Sequence, residues 1–293
     1  MRFRTAQVIY NGMHSRTVQL CQGLPQGAVL SPLLFLFYID DLSGVTPEGI
    51  QDAYFADDAS LWTHNTDLNK ANNDIQEALD KISHWSDRNK MKLNAGKSVS
   101  TFFSTATSEA KWRPNLNIKG TGIKYEVSPK FLGIHLDRSL AFTAHVDHVT
   151  EKVNNRNRIL ASLAGKEWGW EKRTLRRVYL AMQRSILDYA APAWQPFLSK
   201  TQAKRLDTAQ NKALRIVNGQ YATTPLEALR AEAGICSYET QSDRLCAIAY
   251  EKASRLKDDH PKKVALGKPT VQRIKTRSSC SLGEKKRKKS SNA

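Results

Sequence analysis

Residues 51–62 read QDAYFADDASLW, and this stretch decides the fold of the first part of the chain. Two short runs rich in aromatic and aliphatic residues flank Ala56-Asp57-Asp58, a pattern typical of two antiparallel strands joined by a tight turn. Such a turn holds two carboxylates at one edge of a sheet. An isolated Asp-Asp pair is more often a solvated turn than a site, so the neighbouring sequence has to decide between the two.

The residues before this hairpin predict a second hairpin and a helix. The runs AQVIY and TVQL flank Asn11-Gly12, a strong signal for a tight hairpin turn. Residues 23–42 read GLPQGAVLSPLLFLFYIDDL, in which Gly and Pro come first and an apolar block of helical length follows. Ser31-Pro32 suits the first turn of a helix. We predict a glycine-rich loop followed by a buried helix that ends near residue 40.

The residues after the acidic hairpin change from mixed to helical patterns. Apolar residues at helical spacing predict an amphipathic helix over residues 67–90, followed by a strand at SVSTFFS and a strand pair in YEVSPKFLGIHLD. Beyond Asp137 helical patterns dominate. They cover residues 143–165, 171–188, 200–217, 225–233 and 237–256.

These patterns predict an α+β protein with two domains and a tail. Residues 1–140 combine antiparallel strands with helices, and residues 141–260 form an all-helical domain. Residues 261–293 are polar and basic, with too little apolar content to fold, so a disordered tail is expected.

The positive charge is concentrated in the second half of the chain. Residues 1–140 hold 15 Lys/Arg against 14 Asp/Glu, residues 141–265 hold 21 against 13, and residues 266–293 hold 9 against 1. A basic region of this kind favours a polyanionic partner, with a merely solubilising surface as the alternative. No apolar run is long enough to span a bilayer, so no membrane partner is expected, and the four cysteines lack metal-binding spacing.

Four motifs together carry a family resemblance. They are Gly23-Leu24-Pro25-Gln26-Gly27 with Ser31-Pro32, then Phe55-Ala56-Asp57-Asp58, then Leu93-Asn94-Ala95-Gly96-Lys97-Ser98, then Lys130-Phe131-Leu132-Gly133-Ile134. In this order the motifs resemble those of reverse transcriptases, and they are most similar to the enzymes of non-LTR retrotransposons. The resemblance implies the C-terminal part of a polymerase palm in residues 1–140 and a thumb or connection domain in residues 141–260.

The resemblance implies a role for each motif. Gly23, Pro25, Gln26, Gly27 and Ser31 would line the nucleotide and template site. Asp57 and Asp58 would bind Mg²⁺ in a two-metal nucleotidyl transfer, and Lys97 would act as a cation near the leaving pyrophosphate. Leu132 and Gly133 would grip the primer. Arg173, Arg176, Arg177 and Arg184 are candidates for contacts with the nucleic-acid backbone, whereas the tryptophans in this region are more often core residues than base-stacking residues.

The same resemblance implies a third carboxylate upstream of the glycine-rich loop, but the sequence has no Asp or Glu before Asp40. We therefore expect an RNA-directed DNA polymerase domain that is inactive on its own, with an RNA template, a DNA primer and a dNTP as partners. The alternative is a non-catalytic relic that only binds nucleic acid. An intracellular protein is expected, and the cluster Lys285 to Lys289 is compatible with nuclear import. The sequence leaves the oligomeric state open.

Overall fold

The computed structural model describes residues 4–20, 23–25, 27–165 and 169–267, with only the backbone for residues 265–267. Gln26 and nearly all of the expected basic tail lie outside the described residues. The described part combines helices with short strand pairs, and all of these pairs are antiparallel except one. The predicted α+β class is confirmed.

Contacts along the chain separate two compact units. Unit 1 comprises Met1–Ser100 and Pro114–Tyr125, and unit 2 comprises Thr101–Arg113 and Glu126–Ala293. Residues 126–140, which the sequence pattern places with the first domain, thus fall in the same unit as the helical residues.

The strands of unit 1 are β1 (Arg4–Ala6), β2 (Ile9–Tyr10), β3 (Met13–His14), β4 (Val18–Leu20), β5 (Gln51–Phe55), β6 (Asp58–Trp62), β7 (Val99–Ser100), β8 (Asn117–Ile118), β9 (Thr121–Gly122) and β10 (Lys124–Tyr125). The pairs are β1 with β4, β2 with β3, β5 with β6, β8 with β9 and, in parallel, β7 with β10. The predicted strand at SVSTFFS is wrong beyond its first two paired residues, because residues 101–106 join no ladder.

The first hairpin is confirmed. Asn11 and Gly12 both have positive φ, at 47° and 74°, as a two-residue hairpin turn between β2 and β3 requires. Between the β2–β3 pair and the β1–β4 pair, the Ser15 hydroxyl accepts a hydrogen bond from the Val8 amide at 2.9 Å. This side-chain bond continues the hairpin where the strand ladder is interrupted.

The helices of unit 1 are α1 (Ser31–Ile39), which continues as a 3₁₀ turn over Asp40–Gly44, and α2 (Leu68–Arg88). Asp67 caps α2 by accepting hydrogen bonds from the amides of Asn69 and Lys70, which explains where this helix begins. The prediction of an amphipathic helix in residues 67–90 is confirmed.

The prediction that α1 is buried is wrong. Only Ser31 and Ile39 of this helix are buried, whereas Leu36 is 54% and Phe37 is 72% exposed. In the core of unit 1, Ile39 at the end of α1 and Leu42 of the 3₁₀ turn pack with two residues of α2, Ile82 and Trp85. An apolar composition predicted burial, but in the described part of the chain α1 packs on this core only through Ile39 and the half-buried Phe35.

Unit 2 contains the strand pair β11 (Lys130–Phe131) and β12 (Ile134–His135). Its helices are α3 (Thr143–Leu163), α4 (Lys172–Tyr179), α5 (Ser185–Asp188), α6 (Ala191–Trp194), α7 (Lys200–Asn218), α8 (Leu226–Ala233), α9 (Tyr238–Ser254) and α10 (Pro261–Gly267). A π-helical segment, Leu180–Arg184, joins α4 to α5. The predicted helices of this region are confirmed, although α10 begins where the tail was expected. No helix in the described ranges is long and apolar enough to cross a membrane.

The helices of unit 2 pack around two apolar clusters. In the first, Val146 and Val153 of α3 meet Leu206 of α7 and Trp194 of α6. The second lies further along α3 and α7 and joins them to α4 and α8. Trp194 is fully buried, so its predicted place in the core is confirmed, whereas the same prediction is wrong for Trp170, which is 47% exposed. Trp168 lies outside the described residues.

The turn between β11 and β12 is held from outside by a tyrosine. Leu132 and Gly133 have φ of 44° and 86°, so both turn residues are left-handed. The hydroxyl of Tyr189, which follows α5, donates a hydrogen bond of 2.8 Å to the Leu132 carbonyl. A Cβ added to Gly133 would lie only 3.0 Å from Cε1 of the Tyr189 ring. Glycine is therefore required at position 133 by both the backbone angle and the neighbouring ring.

We expect Gly133→Ala to lower the free energy of unfolding by roughly 2–3 kcal/mol, because it adds a steric clash to the cost of a left-handed alanine. Gly219→Ala is the matched control, since Gly219 has φ of 66° and open space around its would-be Cβ. It should cost about 1 kcal/mol. Denaturant unfolding measures both variants. In a Tyr189→Ala background the cost of Gly133→Ala should fall towards that of the control, and an unchanged cost would contradict this account.

Three histidines lie together beside the same strand pair. The rings of His135 and His148 are 4.7 Å apart, and the His135 amide donates to Nδ1 of His145 at 3.3 Å. Burial, together with the neighbouring His135, His148 and Lys152, lowers the pKa of His145 to about 4. His145 therefore stays neutral in the folded protein at pH values where a histidine of the unfolded chain is protonated.

We expect the stability of the protein to fall as the pH is lowered from about 6.5 to about 4, because only the unfolded state takes up the proton of His145 in that window. The loss from this residue is up to about 3 kcal/mol. Thermal unfolding against pH tests it with His145→Asn, which should flatten the profile, and with His64→Asn, an exposed control that should not. An equally steep profile in the His145 variant would refute the assignment.

Candidate active site

The acidic turn predicted from the sequence is present between β5 and β6. Ala56 and Asp57 form the turn, and Asp58 is the first residue of β6, paired with Phe55. Both carboxylates are exposed. The hairpin is anchored because Tyr54 of β5 and Leu61 of β6 pack against the core of unit 1. The fold thus presents two adjacent carboxylates to solvent from a fixed hairpin.

Ala56 gives the turn its shape at an energetic cost. Its φ is 51°, a left-handed angle that costs a residue with a side chain about 1 kcal/mol or more. Alanine keeps this cost low because its side chain is small. Asp58, next in the ladder, stays in register with Phe55. The left-handed residue therefore allows a two-residue connection between strands that continue in register.

The carboxylates suit a hard divalent cation held partly by a substrate. Mg²⁺ is commonly bound by one or two carboxylates together with phosphate oxygens and water. Asp57 and Asp58 supply two carboxylates at one edge, and within the described ranges no group of three or more metal-binding side chains occurs. Two carboxylates leave most coordination positions of such a cation to oxygen atoms from outside the hairpin.

Two side chains, Ser31 and Arg4, donate hydrogen bonds to described residues of the glycine-rich loop before α1. The Ser31 hydroxyl donates to the Pro25 carbonyl at 2.8 Å, and Ser31 is buried. Gly23 and Gly27 have φ of 78° and 87°, angles that favour glycine. Arg4 donates to the Gly23 carbonyl at 2.5 Å. The structure thus gives Ser31 a role in shaping the loop, and Gln26, the remaining candidate of the loop, lies outside the described residues.

Lys97 lies at the end of a turn that Asn94 organises. The Lys97 amide donates to the Asn94 carbonyl at 3.1 Å and to its side-chain oxygen at 3.2 Å. The side chain of Lys97 is exposed. A cation is thereby available to solvent in unit 1, two residues before β7.

The four candidate arginines fall into two groups. Arg173 and Arg177 of α4 are exposed. Arg176 donates to the Ala233 carbonyl at 2.7 Å, and Arg184 is buried. A guanidinium already bonded inside the unit is poorly placed to reach a phosphate, so only Arg173 and Arg177 remain as backbone-contact candidates.

Tyr189 is a residue that the sequence analysis missed. It holds the Leu132-Gly133 turn of the candidate primer grip, from a position more than fifty residues later in the chain. No local pattern marks it, because its partner is a backbone carbonyl and its ring is 54% exposed. The only available sequence signal was its place in the run ILDYAAPAW.

The segment that carries these motifs is similar to a known protein family. Residues 2–136 match the family described as "Reverse transcriptase (RNA-dependent DNA polymerase)". This segment includes the glycine-rich loop, the acidic hairpin, Lys97 and the turn between β11 and β12.

Several similar proteins come from fruit-fly mobile elements. The RNA-directed DNA polymerase from mobile element jockey of Drosophila melanogaster is 25% identical over 222 residues, covering 74% of this chain and 24% of the relative. A probable RNA-directed DNA polymerase from transposon BS is 28% identical, covering 67% of this chain and 22% of the relative. A probable RNA-directed DNA polymerase from transposon X-element is 27% identical, covering 74% of this chain and 24% of the relative.

The chain spans about a quarter of the length of these curated relatives. The similarity continues beyond the family segment into the helical residues, since each alignment covers about 200 residues or more. Residues 2–136 therefore resemble the reverse transcriptase family, and the relatives described above are named as RNA-directed DNA polymerases, proven or probable, of mobile elements.

Proposed function

We propose that this chain contributes to template-directed DNA synthesis on RNA, by nucleotidyl transfer from a dNTP to the 3′ hydroxyl of a DNA primer. The observation that carries the proposal is the pair of exposed carboxylates, Asp57 and Asp58, at the tip of a hairpin anchored on the core of unit 1. The relatives named as RNA-directed DNA polymerases support the choice of template and product.

Asp57 and Asp58 would hold Mg²⁺, with nucleotide phosphates completing the coordination. When bound, such cations activate the primer hydroxyl and neutralise charge on the transferred and leaving phosphates. Lys97, whose side chain is exposed, would supply a further positive charge to the leaving pyrophosphate. Gly23 and Gly27 let the loop backbone approach a nucleotide closely.

The remaining motifs would position the nucleic acid. The Leu132-Gly133 turn, held by Tyr189, would contact the primer, and Arg173 and Arg177 would contact phosphates. On this proposal residues 1–140 correspond to the palm and residues 141–260 to the thumb or connection. The basic cluster Lys285 to Lys289, outside the described residues, would add non-specific affinity for nucleic acid or direct nuclear import.

We expect Asp57→Asn to lower Mg²⁺-dependent primer extension on an RNA template by about 100-fold or more, because it removes a charge that the phosphoryl transfer requires. Glu48→Gln is the matched control: Glu48 is exposed, makes the same change of charge and lies away from the turn. The assay uses this chain and a version extended upstream in its own reading frame. Extension that survives Asp57→Asn would overturn the assignment of this carboxylate.

The two versions also test the expected third carboxylate. Activity only in the extended version would assign that carboxylate to the added residues, whereas activity in this chain would show that Asp57 and Asp58 suffice. If neither version extends a primer while both bind RNA, the nucleic-acid-binding alternative replaces the polymerase proposal.

A further inference from the structure

The sequence contains two Asn-Gly pairs, Asn11-Gly12 and Asn218-Gly219. Asn11 and Gly12 form the turn between β2 and β3, and both are exposed. Within the described part of the chain, no residue forms a hydrogen bond with the Asn11 side chain. A Cβ added to Gly12 would meet no atom within 4 Å. The side-chain amide of Asn11 is therefore open to solvent beside an unhindered glycine.

The hairpin that carries Asn11 has little to hold it closed. Among the described residues, β1 pairs only with β4 and β2 only with β3, and residues 5–20 are all exposed. None of them belongs to the apolar clusters of the described chain. A hairpin of two strands without a covering layer is marginally stable in water. Local opening therefore releases the turn from its backbone angles far more often than the whole protein unfolds.

The second Asn-Gly pair is held by its surroundings. The Asn218 side chain, at the end of α7, donates a hydrogen bond of 3.0 Å to the Leu229 carbonyl. The Gly219 amide donates to the Ile216 carbonyl at 3.3 Å. The neighbouring Val217 is buried in the apolar cluster that joins α3, α4, α7 and α8. The side-chain amide and the following backbone nitrogen of this pair are thus both bonded, in a segment that opens only with the helical core.

We propose that Asn11 is a site of spontaneous deamidation in the folded chain, whereas Asn218 is protected. The proposal rests on the different surroundings of two identical dipeptides. It requires neither a metal nor a nucleic acid, and it goes beyond the polymerase proposal. The two proposals can therefore fail separately.

The reaction needs only the two residues and water. The backbone nitrogen of Gly12 loses its proton and attacks Cγ of Asn11, so that a C–N bond forms and the side-chain nitrogen leaves as ammonia, which carries the proton away. Glycine favours this step because it has no side chain to block the approach of its nitrogen. Water then opens the resulting five-membered succinimide ring. Cleavage between the nitrogen and Cγ gives aspartate, and cleavage between the nitrogen and the backbone carbonyl carbon gives isoaspartate.

Isoaspartate changes the hairpin more than the added negative charge does. Its linkage runs through the side chain and adds one methylene group to the main chain at the turn. Because the length of the turn sets the register, the pairing of Tyr10 with Met13 is lost. The outer strands β1 and β4 lead to the glycine-rich loop, where Arg4 of β1 donates to the Gly23 carbonyl. Deamidation at the tip therefore loosens a hairpin that borders the candidate nucleotide loop.

The test compares the two Asn-Gly pairs while the full chain is incubated in mildly alkaline buffer. Trypsin releases them in separate peptides, residues 5–16 and 216–230, and mass spectrometry follows the conversion of amide to acid in each. In the folded chain Asn11 should react about ten-fold or more faster than Asn218, because only its surroundings open locally. In concentrated urea the two rates should agree within about three-fold, since the protection of Asn218 is then lost.

Two results would overturn the assignment of Asn11. One is an equal rate at both asparagines in the folded chain. The other is an Asn11 amide that survives in the folded chain over a period in which urea-unfolded chain loses it. Either result would show that the hairpin gives this residue no special access.

Freshly purified Asn11→Asp is the matched control for the effect on the hairpin, because it has the new charge but the ordinary backbone linkage. Hydrogen exchange in β4 should be about ten-fold faster in aged chain enriched in isoaspartate than in this variant, since only the aged chain has lost the register. Equal exchange in the two samples would refute the predicted loosening of the hairpin.

Discussion

The arrangement of the helical unit depends on one buried guanidinium. Arg184, at the end of the π-helical segment, donates to the Gln210 side chain of α7 at 2.5 Å and pairs with Asp188 at 3.2 Å. Gln210 in turn donates to the Cys236 carbonyl, and Gln241 of α9 donates to Asp188. A buried charge is tolerated only when its partners are in place, so this network ties α5, α7 and α9 to one relative position. The neighbouring Gln183 bonds to Asn157 and extends the same constraint to α3.

The acidic turn and the turn of the candidate primer grip share a second constraint. Ala56 in the acidic turn and Leu132 in the turn before β12 are both left-handed residues with side chains. Such residues persist only where the surrounding structure outweighs their cost. In the first turn the compensation comes from the hairpin packed on the core, and in the second it comes from Tyr189. Each turn thus owes its shape to residues distant in sequence.

The sequence was informative wherever the local pattern determined the structure. Asn11-Gly12 strongly favours a hairpin turn, and Asp67 favours the start of a helix. The regular apolar spacing in the second half of the chain predicted α3, α7 and α9 closely. Prediction failed where tertiary packing decides. The apolar block of α1 indicated burial, yet no described residues cover most of it, and SVSTFFS has strand-like residues but only two with a ladder partner.

The residues of the candidate site also fall into two groups, those that local sequence motifs identify and those whose role depends on tertiary contacts. The acidic pair, the glycine-rich loop and Lys97 could be identified from motifs, because their positions along the chain are characteristic. The internal roles of Arg176 and Arg184 could not, since an arginine in a basic helix has the same local sequence whether it faces water or the core. The role of Tyr189 likewise depends on a contact between residues far apart in the chain.

The exposed apolar side of α1 affects how the protein behaves in concentrated solution. Leu33, Leu36 and Phe37 form an apolar surface on one short helix, next to the exposed Val29 and Leu30 of the preceding loop. Surfaces of this kind drive self-association in water, and the attraction is strengthened by sulfate or phosphate salts. The purified chain is consequently best handled dilute and in chloride buffers, where long-range repulsion among its many cations keeps the molecules apart.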